Sequence, residues 1–248
     1  CKAYGDFDKE TLKFFYKSIN DPKSNEISGK LNMSNTHVKE KLDKAGNIVF
    51  TIKKIESNNG ESVEAEQVES RYNFHTHPVN AYIHYNCDLG WPSRDDYIII
   101  IESFLKKKNS TVFHWLCTKE GIYVLSIPEE SVLIYQKLKD VKTEKIEKYI
   151  EKNLEIDKLN FKKSIGINIK NFGKINDVYS YIDYINKSQK DNPFSIKYKG
   201  TTYNLKLINI QFFDWYGNLG LLSNLDIQFV FYYPKVGGNC LIMEEHIR

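Results

Sequence analysis

The sequence predicts an α/β protein of the α+β kind. A mixed sheet flanked by helices should fill residues 1–155, and a C-terminal α+β extension of unknown role should fill 156–248. Three observations predict it. Helix-period and strand-like segments interleave along the first three-fifths of the chain, which is the order of a sheet covered by helices. Of the 248 residues 41% are hydrophobic and 14% aromatic, with no long biased tract, enough for one large domain or a large one with a smaller companion. Beyond about residue 156 the character changes to aromatic strand-like runs around one helix, which read either as a second domain or as an extension completing the first sheet.

Taken in order, Asp8 to Asn20 places Leu12, Phe15 and Ile19 at i, i+3 and i+7, an amphipathic first helix stopped at Asp21-Pro22. Strand-like runs follow at Glu26 to Met33 and Asn47 to Ile55, with Lys44-Ala45-Gly46 as the turn before the second. Asn58 to Ser70 is polar and acidic and reads as a loop. Arg71 to His77 is a short strand ended by Pro78, and a segment rich in Tyr, Asn and Gly runs on to Pro92. Ser93 opens a second helix through about Lys107. Thr111 to Cys117 and Ile122 to Ile127 make a hairpin around Lys119-Glu120-Gly121, and Glu129 to Leu154 reads as one long helix, apolar first and charged later. In the last part Ile165 to Ile169, Phe194 to Tyr198, Tyr203 to Phe213 and Leu225 to Tyr233 are strand-like, and Asp177 to Gln189 is helical.

Charge and cysteines narrow the function classes. A net charge of +3 with dispersed lysines predicts neither nucleic-acid nor membrane binding. Lys137 to Lys152 interleaves Lys with Glu and Asp, as a solvated helix face does. No apolar run has the length of a bilayer span, and Cys1 to Gly5 lacks signal-peptide character. The four cysteines are far apart with no C-x-x-C pair, so a reducing, cytoplasmic setting is expected and the three N-x-[ST] sequons read as chance. The richness in Lys, Asn, Ile and Tyr points to an AT-rich gene.

The chemical signal is Phe74-His75-Thr76-His77-Pro78 followed by Pro92-Ser93-Arg94-Asp95-Asp96. On a strand, i and i+2 face the same way, so His75 and His77 can aim at one point. Zinc accepts imidazole nitrogen and carboxylate oxygen, and a catalytic site keeps one position open for water. Asp96, in the first turn of the next helix, is a sound third ligand. Ser93-x-x-Asp96 is equally an ordinary capping arrangement, and an H-x-H pair alone is more often incidental than metallic.

Together these residues resemble the JAB/MPN domain with its JAMM zinc-metallopeptidase motif, E…H-x-H-P…S-x-x-D. Glu26-Ile27-Ser28-Gly29 is similar to the family's E-x-x-G on its early strand, and the order of elements agrees from about residue 7 to 150. The resemblance implies a JAB/MPN-like fold and Zn2+-dependent hydrolysis of an amide or isopeptide bond. His75, His77 and Asp96 would be the ligands, Glu26 the general base, and Ser93 the hydrogen-bond donor to the oxyanion. It further implies a protein or peptide substrate, with ubiquitin or a related modifier as the family default. Residues 78 to 92 put fifteen positions between His77 and Ser93, longer than the family's usual spacing, so an insertion on the rim is expected to cover or reshape the cleft. The HTHP…GWPS form also resembles Jab-like reading frames of large DNA viruses, which adds the virion as a second setting.

Other candidates carry less. Asp95 is the rival third ligand, one residue off the spacing. His84 and Cys87, at i and i+3 in the insertion, could help bind a second zinc or be a solvent loop. His114, within an apolar strand, reads as a hydrogen-bonded core histidine, while His37 and His246 carry no pattern. Trp91 either packs under the loop, the favoured reading, or touches substrate. Glu40 and Glu56 are the fallback bases. A nucleoside deaminase would need H-x-E and P-C-x-x-C, and neither is present. A phosphoesterase beginning with H-x-H would need more downstream histidines than this chain has. The competitor from another class is a JAB-fold structural or assembly subunit, for example of a virion, with little or no catalysis.

Overall fold

The computed structural model describes residues 2–34, 49–60, 70–106, 111–138, 141–155, 161, 173–217, 219, 229–232, 235–236 and 239–240. Along the chain these form β1 (Lys2–Phe7), α1 (Lys9–Asn20), β2 (Ile27–Ser34), β3 (Val49–Asn59), β4 (Tyr72–Thr76), α2 (Val79–His84) and α3 (Arg94–Lys106). Then come β5 (Phe113–Cys117), β6 (Gly121–Ser126), α4 (Glu129–Lys137), α5 (Glu144–Asn153) and α6 (Ile175–Asp191). The chain continues through β7 (Phe194–Tyr198), β8 (Thr201–Leu205), β9 (Asn209–Asp214), β10 (Phe229–Tyr232), β11 (Lys235–Val236) and β12 (Asn239–Cys240).

Eight strands make one sheet in the order β10-β1-β3-β2-β4-β5-β6-β9. The β1–β3 and β4–β5 pairs are parallel and the rest antiparallel. The expected mixed sheet with flanking helices is therefore present. Side-chain alternation splits its packing into two cores. On one face Phe74, Phe113, Trp115 and Val124 meet α1 through Leu12, Phe15 and Ile19. On the other, Leu116, Tyr123 and Leu125 meet α3, α4, α5 and α6. Asp8 caps α1, its carboxylate accepting the Thr11 N–H at 2.7 Å.

Several expectations need correction. β1 was not expected, because its partners β3 and β10 are distant in sequence and Gly5 and Asp6 weaken the local signal. The single long helix over Glu129 to Leu154 is two helices: α4 ends at Lys137, capped by Leu138, and α5 opens after Thr143 and buries Ile146 and Ile150. The single strand over Tyr203 to Phe213 is β8 and β9. Between them the Gln189 carboxamide takes the N–H groups of Leu207 and Ile208 and donates to the Ile208 carbonyl, replacing a strand neighbour. The expected loop at Asn58 begins later, since β3 runs to Asn59. Lys199 and Gly200, with φ of 47° and 84°, close the β7–β8 hairpin in the left-handed conformation that two-residue turns require.

The C-terminal third enters the main sheet at both edges, β9 beside β6 and β10 beside β1. Its helix α6 buries Val178, Tyr181 and Ile185 in the core that holds α3 and α5. The turn at 44–46, the strand-like 165–169, His37, Glu40 and His246 lie outside the described residues. Among the described residues no helix is long and apolar enough to cross a membrane.

Gly29 shows how tightly the strands around the histidines are built. It lies opposite Phe74 across the β2–β4 pair. A Cβ there would stand 2.2 Å from the Glu56 carbonyl oxygen and 2.6 Å from the Phe74 ring. Gly29→Ala should therefore cost roughly 1–3 kcal/mol, towards the upper end because the first atom met is backbone. Urea unfolding of the variant against wild type measures it.

Candidate metal centre

β4 turns Phe74 and Thr76 toward the α1 side and Asn73, His75 and His77 toward the α3 side. Ser28 of β2 pairs with His75, and continuing that antiparallel register by two residues on each strand sets Glu26 opposite His77. Glu26 is fixed by backbone on either side: its carbonyl accepts the Gly60 N–H at 2.9 Å, and the next N–H, of Ile27, donates to Thr76 Oγ1 at 2.8 Å. Asp96 arrives from the first turn of α3 with no exposed surface.

His75 lies between the two carboxylates. Its Nε2 is 2.8 Å from Glu26 Oε2 and its Nδ1 is 3.1 Å from Asp96 Oδ1. Burial alone would lower its pKa, but hydrogen bonds to Asp96 and Glu26, with their charges, push it up to about 10. Both ring nitrogens thus face carboxylate oxygens, in the place where a cation would sit. Burial alone would raise the Asp96 pKa; hydrogen bonds from His114 and His75, then the charges of His75 and His77, hold it well below the usual carboxylate range.

His77 is differently poised. Its Nδ1 is 3.0 Å from the Gly90 carbonyl, a group that only accepts, so Nδ1 carries a proton and Nε2 is the nitrogen turned to the site. Nε2 faces Asp96 Oδ2 at 3.8 Å and Glu26 Oε1 at 3.9 Å.

The donor set fits a divalent ion. Two ligands about 2.1 Å from a tetrahedral ion stand about 3.4 Å apart; His77 Nε2 is 3.8 Å from Asp96 Oδ2, and His75 Nδ1 is 3.1 Å from the other oxygen, Oδ1. Among the described residues Glu26, His75 and His77 form one group able to hold a metal, and His75, Asp96 and His114 another. The structure thus brings together four of the five residues singled out, Glu26, His75, His77 and Asp96.

The fifth, Ser93, stands at the start of α3 in the capping arrangement. Its N–H and hydroxyl both donate to Asp96 Oδ2, at 2.7 and 2.9 Å, and the Asp96 N–H is 3.4 Å from its Oγ. Its hydroxyl proton is therefore committed to Asp96, although the residue borders the cleft. Asp95 borders the cleft but is largely exposed beside Arg94, and among the described residues it belongs to no metal-capable group. His114 is a buried, hydrogen-bonded core histidine, as its sequence context suggests, but its Nε2 also reaches to 3.5 Å from Asp96 Oδ1. That contact depends on the β4–β5 register, which pairs Asn73 with His114 and is not readable from either strand alone. Glu56 is taken up by Lys30 at 2.7 Å.

A cleft of about 420 Å³ opens over Glu26, His75, His77 and Ser93. The insertion forms one wall. Its start is the helix α2, not a loop, with Ala81, Tyr82 and the later Leu89 buried. Glu120, on the β5–β6 turn, holds it down by accepting from the Tyr82 hydroxyl at 2.5 Å and the Gly90 N–H at 2.7 Å, and also from the Tyr123 hydroxyl at 2.9 Å. Glu120→Ala leaves these donors without their acceptor and should cost roughly 2–4 kcal/mol, read from denaturant unfolding. Trp91 packs, stacked on Tyr181 at 5.1 Å and edge-on to Phe161 at 5.6 Å. Among the described residues neither His84, whose ring lies against Tyr85, nor Cys87 belongs to a metal-capable group. Comparison with protein-family models, with curated proteins and with solved structures found no match.

Proposed function

We propose that the chain is a zinc-dependent hydrolase of amide or isopeptide bonds, with a JAB/MPN-like catalytic unit acting on a protein or peptide such as a ubiquitin-like modifier. The observation that carries the reading is the convergence of Glu26, His75 and His77 at the floor of one cleft with Asp96 buried against both histidines, from three separate segments. His75, His77 and Asp96 would hold the ion. Bound zinc supplies Lewis acidity, which polarises a carbonyl and acidifies water at neutral pH.

The chain's own groups do the rest. Glu26, at the cleft floor beside both histidines, takes a proton from water and returns it to the leaving amine. The Gly90 carbonyl keeps His77 in the tautomer that presents Nε2. The Ser93 hydroxyl, turned from Asp96, would donate to the carbonyl oxygen as negative charge develops on it. Tyr82, Tyr85, Leu89 and Trp91 give the cleft apolar walls suited to peptide side chains.

One observation favours the assembly-subunit reading. The cluster satisfies itself, His75 between two carboxylates and Asp96 capped by Ser93, as a structural polar network does. Elemental analysis of protein purified without chelator separates the two, together with cleavage assays on an isopeptide-linked and a linear substrate. One zinc per chain and chelator-sensitive cleavage are expected. A metal-free protein sinks the hydrolase reading, and a loaded protein that cleaves neither substrate leaves the assembly role.

A further inference from the structure

We propose that His114 is a positioning residue of the metal centre: its Nε2–H holds Asp96 Oδ1 and so fixes which carboxylate oxygen turns toward the ion. The inference rests on the metal-centre reading above and gives a role to a side chain outside the motif. His114 stands on β5, between β4 and β6, so its backbone is hydrogen-bonded on both sides. It is 1% exposed. Its Nε2 is 3.5 Å from Asp96 Oδ1 and, fully buried, makes no hydrogen bond of ordinary geometry as placed, so this carboxylate is the acceptor within reach.

The tautomer follows from its two neighbours. Nδ1 is 2.8 Å from Asn73 Oδ1, and turning the carboxamide over sets its amino group there instead, since its two ends are alike in shape. An ionised Asp96 can only accept. The carboxylate therefore selects the Nε2–H form, and Asn73 presents its amino end to Nδ1.

Asp96 is then held at both oxygens. Ser93 donates twice to Oδ2, the oxygen that faces His77, while His75 Nδ1 at 3.1 Å and His114 Nε2 at 3.5 Å reach Oδ1 from the central sheet. The Ser93 contacts belong to the first turn of α3 and move with it. His114 reaches Asp96 from β5 and, unlike His75 and Ser93, serves in this reading as neither ligand nor cap. Removing an outer hydrogen-bond partner of a metal ligand typically weakens metal binding by 10–100-fold.

The test uses the full chain, with cobalt(II) as probe in competition with a chromophoric chelator. His114→Leu should bind cobalt about 10- to 100-fold more weakly. His114→Gln, whose side-chain N–H reaches as far as Nε2–H, should recover most of the loss. The ligand-field spectrum should keep its shape in all three proteins, because the ligands are unchanged. Long-range 15N–1H spectra of the metal-free wild type should place the His114 proton on Nε2, a readout that needs neither metal nor a variant that folds. Equal cobalt affinity in His114→Leu, a proton on Nδ1, or a changed spectrum in His114→Gln each overturns the proposal. A wild type that takes up no cobalt sinks the metal reading and this inference together; unaltered affinity in the leucine variant sinks this inference alone.

Discussion

Replacing His77 with alanine is expected to strip the ion from the protein and bring hydrolysis down to background. His77 is the ligand candidate whose Nε2 is turned to the site, since the Gly90 carbonyl engages the opposite nitrogen of the ring. It also stands between the two carboxylates, so its loss opens the ring of donors on the cleft side. The fold does not depend on the imidazole. The backbone at this position is held by the His77 N–H to the Cys117 carbonyl at 2.8 Å, and alanine keeps that bond. Metal affinity should fall by more than about 100-fold, beyond the loss seen for an outer partner, with melting changed by a few degrees at most. Elemental analysis, a competitive zinc titration and a thermal melt read the three quantities. Stoichiometric zinc at wild-type affinity in His77→Ala would place the ion elsewhere, with the buried His75–Asp96–His114 group as the remaining candidate.

What was legible in the sequence was what local periodicity encodes. The i, i+2 pair His75 and His77 could be put on one strand face, and Ser93-x-x-Asp96 at a helix start, because both depend on a few consecutive residues. The mixed sheet and its flanking helices followed from the same kind of signal. What was missed depends on partners distant in sequence. β1 is a strand because β3 and β10 flank it, and the break between β8 and β9 exists because Gln189 reaches over from α6. Glu120 looked like one residue of an ordinary hairpin turn. Only the fold shows that it clasps the insertion through Tyr82 and Gly90, thirty or more positions upstream. The same limit hid the contact of His114 with Asp96, and it changes what shortening the insertion would do. With Tyr82 and Leu89 buried, a shortened chain should lose stability as well as altering the cleft wall.

Glu26→Gln should keep the ion while reducing hydrolysis by about 10²–10⁴-fold. The substitution changes one atom. Glutamine has the shape of glutamate, and its carboxamide oxygen can accept the hydrogen bond that His75 Nε2 now gives to Oε2. The ligand histidines should therefore stay in place, and zinc content should match wild type. What is lost is a group that can take a proton and hand it on, because a carboxamide does neither at neutral pH. Position makes this residue the candidate base. It is buried at the cleft floor, within 3.9 Å of His77 Nε2, and its backbone is pinned by Gly60 and by Ile27 donating to Thr76. Glu155, the other glutamate bordering the cleft, stands at its opposite wall after α5 and is exposed. Single-turnover cleavage by zinc-loaded wild type, Glu26→Gln and Glu155→Gln compares them directly. A Glu26→Gln protein that holds stoichiometric zinc and still cleaves at the wild-type rate would remove Glu26 as the base, and with it the upstream half of the resemblance.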